Sequence, residues 1–300
     1  MPSVLNFKND ARKRRAYSHE FLSQDLYTRA QHLDDQDFLA FQLDYMREVF
    51  PHFRPDCFSV CLASHEASGK IINPSRYAAI NHERNTERKY VEFGHLDVMD
   101  PFIFRSPGNA IYNTHIKPMT DWYDDEFYQG FKVPLGLHHT ILLSFHFPFR
   151  SDLRVRFSYQ TQHPNLFSDE VSKHEVEFYT LPFYYSWLHR YGAIDDRTLG
   201  RWLNKLVGLT PLGLCLLRDM CTSEIYSKSR TAEKWNISKR VIDNQFYNIY
   251  SSIRQDFEPE GASSYGYRSQ LVDLTNYFSF LRFSGYSQID QDVRTNLSTS

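Results

Sequence analysis

Between Lys228 and Arg240 the chain carries five bases, Lys228, Arg230, Lys234, Lys239 and Arg240, against a single acid, Glu233. A cluster of this kind attracts phosphate, and phosphate contacts supply most of the affinity of proteins for nucleic acid. Asn244 and Tyr247 follow Arg240 at spacings of four and seven, so the three share a helical face. Lys239, Arg240 and Asn244 are side chains that can hydrogen-bond base edges in a major groove. The chain as a whole has 34 Lys plus Arg against 36 Asp plus Glu, a formal charge of -2. Attraction to a polyanion is therefore local rather than global.

A second group of reactive types is His52, Cys57, Cys61 and His65. Residues 57–63 alternate like a strand, which sets Cys57 and Cys61 about 13 Å apart at about 3.3 Å per residue. One zinc needs its sulfurs at about 2.3 Å, so no metal is expected. His138, His139 and His146 flank another strand and do not converge. The chain has no Gly-x-Ser-x-Gly elbow, no phosphate-cradling glycine loop and no His-Glu-x-x-His. Nor does it show the paired acids of a phospho-receiver. The expectation is a protein that is not an enzyme and carries no cofactor.

The elements that must position these residues fall into two groups. In DQDFLAFQLDYMREVF, Leu39, Leu43, Met46 and Phe50 step by four, three and four, predicting a helix within residues 17–50. Phe58, Val60 and Leu62 predict a strand, and Lys70 to Ile72 the start of another. Ser106-Pro107-Gly108-Asn109 predicts a turn, and Asp121 to Gly130 a short helix ended by its glycine. Thr140 to Phe147 predicts a buried strand. Leu153, Val155, Phe157 and Tyr159 alternate with Arg154, Arg156 and Ser158, predicting a half-exposed one. Ser168 can cap a long helix reaching about Tyr191. Residues 1–191 thus read as an α+β domain of helices on an antiparallel sheet. Residues 192–205 read as a linker, 206–285 as an all-α four-helix domain and 286–300 as a flexible tail. The basic run Arg12-Lys13-Arg14-Arg15 reads as a solvated face.

No stretch approaches the ~20 apolar residues that span a bilayer; Thr140 to Phe149 is broken by His146 and Pro148. No apolar run follows the basic N-terminus as in a secretory signal, and four Cys in 300 residues are too few for a disulfide scaffold. The expected compartment is the cytoplasm, with no membrane partner. Aromatics make up 16% of the chain, ample for a core and for an aromatic-lined cavity.

Within the all-α part, Thr210 and Pro211 predict the start of one helix. A short second helix runs from about Ser229 to Trp235 with Ser227 or Ser229 as cap, and Asn236-Ile237 makes a turn. Ser238 caps a third helix, whose Ile242, Phe246, Ile249 and Ile253 face inward. Short helix, tight turn and longer helix with polar outer residues describe a helix-turn-helix.

This segment resembles the LuxR-type helix-turn-helix of bacterial transcription regulators. The resemblance is carried by Leu209-Thr210-Pro211, Ala232, Ile237-Ser238, Asn248-Ile249-Tyr250 and Arg268-Ser269-Gln270-Leu271-Val272-Asp273-Leu274. It implies a DNA-binding regulator that acts as a dimer. Lys239, Arg240, Asn244 and Tyr247 would read bases or position the helix, with Lys228, Arg230, Lys234 and Ser238 on phosphate. The chain departs from the family at Leu212-Gly213, where Arg-Glu is usual, and at Asp243, where Lys is common. A carboxylate at Asp243 repels phosphate or accepts from cytosine. The alternative is an interaction protein that kept the fold and lost DNA readout.

Residues 100–190 resemble the PAS/GAF-like or autoinducer-binding sensory domains that precede this motif, through Asp100-Pro101, Ser106-Pro107-Gly108, Trp122, Glu126-Phe127-Tyr128, Pro134 to His139 and Phe167 to Glu170. That resemblance implies a small-molecule effector or protein partner, with Asp100 and Trp122 as ligand contacts. Phe127, Tyr128 and Leu137 join them as candidate pocket walls between sheet and helices. The upstream Trp and Tyr pattern of the autoinducer-binding members is missing, so an acyl-homoserine lactone is not implied.

Overall fold

A computed structural model describes residues 19–49, 55–66, 69, 71–83, 85–147, 150–161, 173–206, 209–222 and 227–253. The chain divides into two compact units: Leu26–Asp195, and Asp196 onward together with the residues before Leu26. Arg12 to Arg15, Ser168, the segment 268–274 and the tail 286–300 lie outside the described residues.

The first unit begins within α1 (His19–His32), at Leu26, and continues into α2 (Asp35–Val49). The Asp34 carboxylate accepts from the Asp37 amide at 2.8 Å and starts α2. Leu39, Leu43 and Met46 are buried along α2, as their spacing predicts. Five strands follow in chain order: β1 (Cys57–His65), β2 (Ile71–Ile80), β3 (Ile111–Tyr112), β4 (His139–Phe147) and β5 (Arg150–Thr161). They pair antiparallel throughout, in the order β2-β1-β5-β4-β3.

The register sorts the two faces of the sheet. Phe58 pairs with Tyr159, Val60 with Phe157, and Phe145 with Val155, giving one apolar face. On that side Gln42 of α2 donates Nε2 to Tyr159 Oη at 3.0 Å and receives Trp187 Nε1 at 3.0 Å. Trp187 belongs to α7 (Lys173–Arg190), so α2 and α7 lie on this face, joined by a buried amide.

The opposite face overturns the prediction of a half-exposed strand. Arg154, Arg156, Ser158 and Gln160 are 4, 6, 7 and 7% exposed. Period-two polarity here marks a polar interior, because a second layer covers this face. The layer comprises α3 (Thr86–Phe93), α4 (Asp100–Arg105), α5 (Asn113–Ile116), α6 (Met119–Tyr123) and a wide π-type turn over Tyr128–Lys132.

The helix expected over Asp121 to Gly130 is also two pieces. It breaks after Tyr123, and the Asp125 carboxylate accepts from the Tyr128 amide at 2.9 Å to start the π-type turn. Gly130 does not end a helix. A Cβ there would sit 2.4 Å from the Phe93 ring, so the glycine lets the turn close on α3.

The predicted linker is mostly helical. Only residues 192–195 are irregular, and α8 (Asp196–Lys205) follows, with Leu199 and Leu203 buried at a spacing of four. The helices α9 (Pro211–Thr222), α10 (Lys228–Lys234) and α11 (Lys239–Ile253) complete the described part of the second unit. Thr210 Oγ1 accepts from the Gly213 amide at 2.9 Å and caps α9. A Cβ on Gly213 would lie 2.8 Å from Ile249 Cδ1, so the departure from Arg-Glu allows α9 and α11 to touch.

Candidate functional site

In the second unit the bend between α10 and α11 is tight. Ser227 Oγ, rather than Ser229, caps α10 by accepting from the Arg230 amide at 3.4 Å. Asn236 takes the left-handed conformation, φ 50°, which asparagine tolerates better than most residues. The Ile237 amide returns to Ala232 O at 2.9 Å, and Ser238 Oγ accepts from Val241 N at 3.3 Å to start α11.

Burial then splits α11 lengthwise. Ile242, Phe246 and Ile249 are at most 6% exposed. Ser238, Lys239, Arg240, Asp243, Asn244 and Tyr247 are exposed, Tyr247 at 72%.

The five bases divide into two kinds. Lys228 pairs with Asp243, fifteen residues later, across α10 and α11. Lys234 pairs with Asp219 of α9, whose other oxygen accepts from Trp235 Nε1 at 2.5 Å. Arg230, Lys239 and Arg240 have no ion pair among the described residues and stand in solvent. Asp243 is therefore not the bare carboxylate that its position suggests, since its charge is met by Lys228. The Asp219 contacts have no sequence signal, because separations of fifteen and sixteen match no helical repeat.

In the first unit a partly open cavity of about 60 Å³ lies between the sheet's polar face and its covering layer. Ser59, Cys61, Thr140, Arg156, Ser158 and Gln160 line the sheet side; Tyr90, Asp97, Phe127, Phe131 and Lys132 line the cover. Arg156 is the fixed point. Its Nη1 donates to Asp100 Oδ1 at 2.6 Å and to Tyr90 Oη at 2.9 Å, and its Nη2 reaches Asp97 Oδ2 at 3.3 Å. Burial pushes the Asp100 carboxyl up to about 7 against the pull of Arg156. Burial likewise brings Lys132 down to about 8 and His82 down to about 4.

All five sequence-predicted ligand contacts are buried, and Phe127 is the one that lines this cavity. Asp100 sits behind the wall and holds Arg156. Trp122 gives Nε1 to Asn113 O at 2.9 Å in a cluster with Met99, Ile103 and Leu142. Tyr128 hydroxyl meets His138 Nδ1 at 2.7 Å. Leu137 packs with Phe131 and Leu135. Trp122, Tyr128 and Leu137 do not line this cavity. Arg156, Lys132 and Gln160 are the polar wall that sequence reasoning missed. The run R-V-R-F-S-Y-Q alternates in the way a solvent-facing strand does, which concealed Arg156 and Gln160.

Sequence comparison with family profiles and with curated proteins finds no match. Among solved structures the chain is similar to SdiA in complex with octanoyl-rac-glycerol, with a TM-score of 0.38 and 14% identity over 85% of this chain and 93% of that one. It is also similar to SdiA of Escherichia coli, with a TM-score of 0.34 and 13% identity over 87% of this chain and 98% of that one. No described helix is long and apolar enough to cross a membrane.

Proposed function

We propose that the protein is a transcription regulator that binds duplex DNA through α10, its turn and α11, under the control of a small molecule or partner received by the Leu26–Asp195 unit. One observation carries this reading. The face of α11 that presents Lys239, Arg240, Asn244 and Tyr247 is exposed, while Ile242, Phe246 and Ile249 anchor the other face. A helix held on one side, entered through a tight bend and rich in donors near its start, suits a major groove. Arg230, Lys239 and Arg240 supply free charge for phosphate. The protein would act as a dimer on paired half-sites. A signal works by binding one state of the regulator better than another.

The Lys228–Asp243 and Lys234–Asp219 pairs favour a second reading, an interaction protein with this fold and no DNA readout, because they occupy two of the five bases. Selection of bound fragments from sheared genomic DNA, followed by a salt series on the winners, separates the two. DNA readout gives enriched fragments whose affinity falls steeply with salt. Absence of any enriched fragment at low salt would overturn the regulator reading.

A further inference from the structure

The cavity of the first unit is lined by polar groups whose bonding capacity the fold leaves partly unused. Gln160, 7% exposed, donates Nε2 to Ser158 Oγ at 2.9 Å, while its carbonyl Oε1 has no partner among the described residues. His82 meets Tyr77 hydroxyl through Nδ1 at 2.9 Å, and its buried Nε2 has no partner there either. Lys132, 2% exposed, donates to Thr140 Oγ1 and forms no ion pair among the described residues. Of the two acids in the lining, Asp97 is already engaged by Arg156 and Tyr90, and Glu87 is exposed to solvent.

An ammonium has three donors, and one hydroxyl satisfies one of them. Native buried polar groups are almost always hydrogen-bonded. Two orphaned acceptor or donor atoms and an under-used cation around one cavity therefore mark a binding site. The site needs an anion for Lys132 and a donor for Gln160 Oε1. Phe127, Phe131 and Leu142 add apolar surface to the lining. At roughly 10–15 Å³ per water-sized occupant, the cavity of about 60 Å³ suits a molecule of only a few heavy atoms.

We propose that this cavity binds a small hydroxy- or amino-carboxylate, its carboxylate on the Lys132 ammonium and its O–H or N–H donating to Gln160 Oε1. The proposal rests on the reading of this unit as the regulator's sensor and names the ligand class for it. Arg156 is a positioning residue: tied to Asp97 and Asp100, it fixes the wall and is not available to the ligand.

The test is calorimetric titration of the full-length protein with lactate, glycerate, alanine, propionate and glycerol. Propionate keeps the charge and lacks the donor; glycerol keeps the donors and lacks the charge. The expected result is that lactate, glycerate or alanine binds at least about tenfold more tightly than propionate and glycerol, as befits hydrogen bonds to a charged group. Lys132→Met should weaken that binding about tenfold or more. Gln160→Leu should bring the preferred acid down to the level of propionate, a change in ratio that a structural defect would not produce. Circular dichroism checks that both variants fold. Should Lys132→Met not fold, Gln160→Leu and the wild-type series still decide. Binding of none of the five, or equal binding of propionate and the best acid, overturns the proposal. Genomic-fragment selection on the same protein keeps the two readings apart. Enriched DNA without carboxylate binding sinks only the ligand class, and carboxylate binding without enriched DNA sinks only the regulator.

Discussion

Arg156 in the sheet unit and Arg240 in the helical unit are the same residue type in opposite surroundings. Arg156 is 6% exposed and is gripped by two carboxylates and a phenol. Arg240 is exposed, with no ion pair among the described residues. Taking a guanidinium out of water costs several kcal/mol unless its hydrogen bonds are replaced, so the interior cation is committed to its wall. The exposed one keeps its water and can exchange it for phosphate. A cation's solvation thus decides whether it builds a site or meets a partner. Lys132 stands between these cases, buried like Arg156 yet without a carboxylate of its own among the described residues.

The sharpest way to break this contrast is Arg156→Met. It leaves Asp97 and Asp100 buried without their counter-charge and should cost about 3–5 kcal/mol of stability, read from urea unfolding of the full chain. The triple change Arg156→Met, Asp97→Asn, Asp100→Asn should recover much of the loss. A loss under about 1 kcal/mol in the single variant would show that the cluster is solvated, as a surface pair is.

Arg240→Ala should do the reverse. Stability should stay within about 0.5 kcal/mol, and affinity for a selected DNA fragment should fall by about 1–3 kcal/mol, as for a residue that touches a base. Unchanged affinity at low salt would place the contact elsewhere.

Acid separates the two units in another way. Burial holds the His65 and His82 imidazoles near 4, below their ordinary 6.5. At these two sites the unfolded chain then binds more protons between those values, so their contribution is full above about 6.5 and is lost as the pH falls toward 4, offset in part by Asp100, whose buried carboxyl is raised to about 7 and favours the folded state as it protonates. Urea midpoints across this window should drop, and His82→Gln should flatten the decline. A decline of equal size in that variant would assign the effect to other groups.

The smallest expected effect sharpens the helical unit. Asp243→Ala removes an exposed pair, costs under about 1 kcal/mol and frees Lys228 for phosphate. DNA affinity should rise, and the dependence of log affinity on log salt should steepen by about one. No change in that slope would mean that Lys228 never reaches the backbone.

Several elements were legible because their signals are local. The α11 stripe of Ile242, Phe246 and Ile249 follows from a repeat of 3.6, and the Thr210 and Ser238 caps from their places before apolar runs. The polar face of β5 was not legible, because alternation reports a difference between two faces and says nothing of what covers the second one. The linker was misread for a related reason: Leu199 and Leu203 are too few apolar residues to announce a helix among Asp196, Arg197 and Arg201. Of the predicted ligand contacts, Trp122 came from the family resemblance and Tyr128 from its place as a candidate wall, and an aromatic side chain serves a packed core equally well.

The sequence by itself determined the secondary elements with strong periodicity, the local excess of bases from Lys228 to Arg240 and the split of α11 into anchored and free faces. Tertiary structure alone decided which of those bases stay free, since Asp243 and Asp219 reach Lys228 and Lys234 over fifteen residues. It also turned Arg156, Ser158 and Gln160 inward to wall a cavity. The physical reason is range. Propensity, capping and helical phase act within a few residues, whereas burial and charge pairing depend on which distant segment arrives to displace the water.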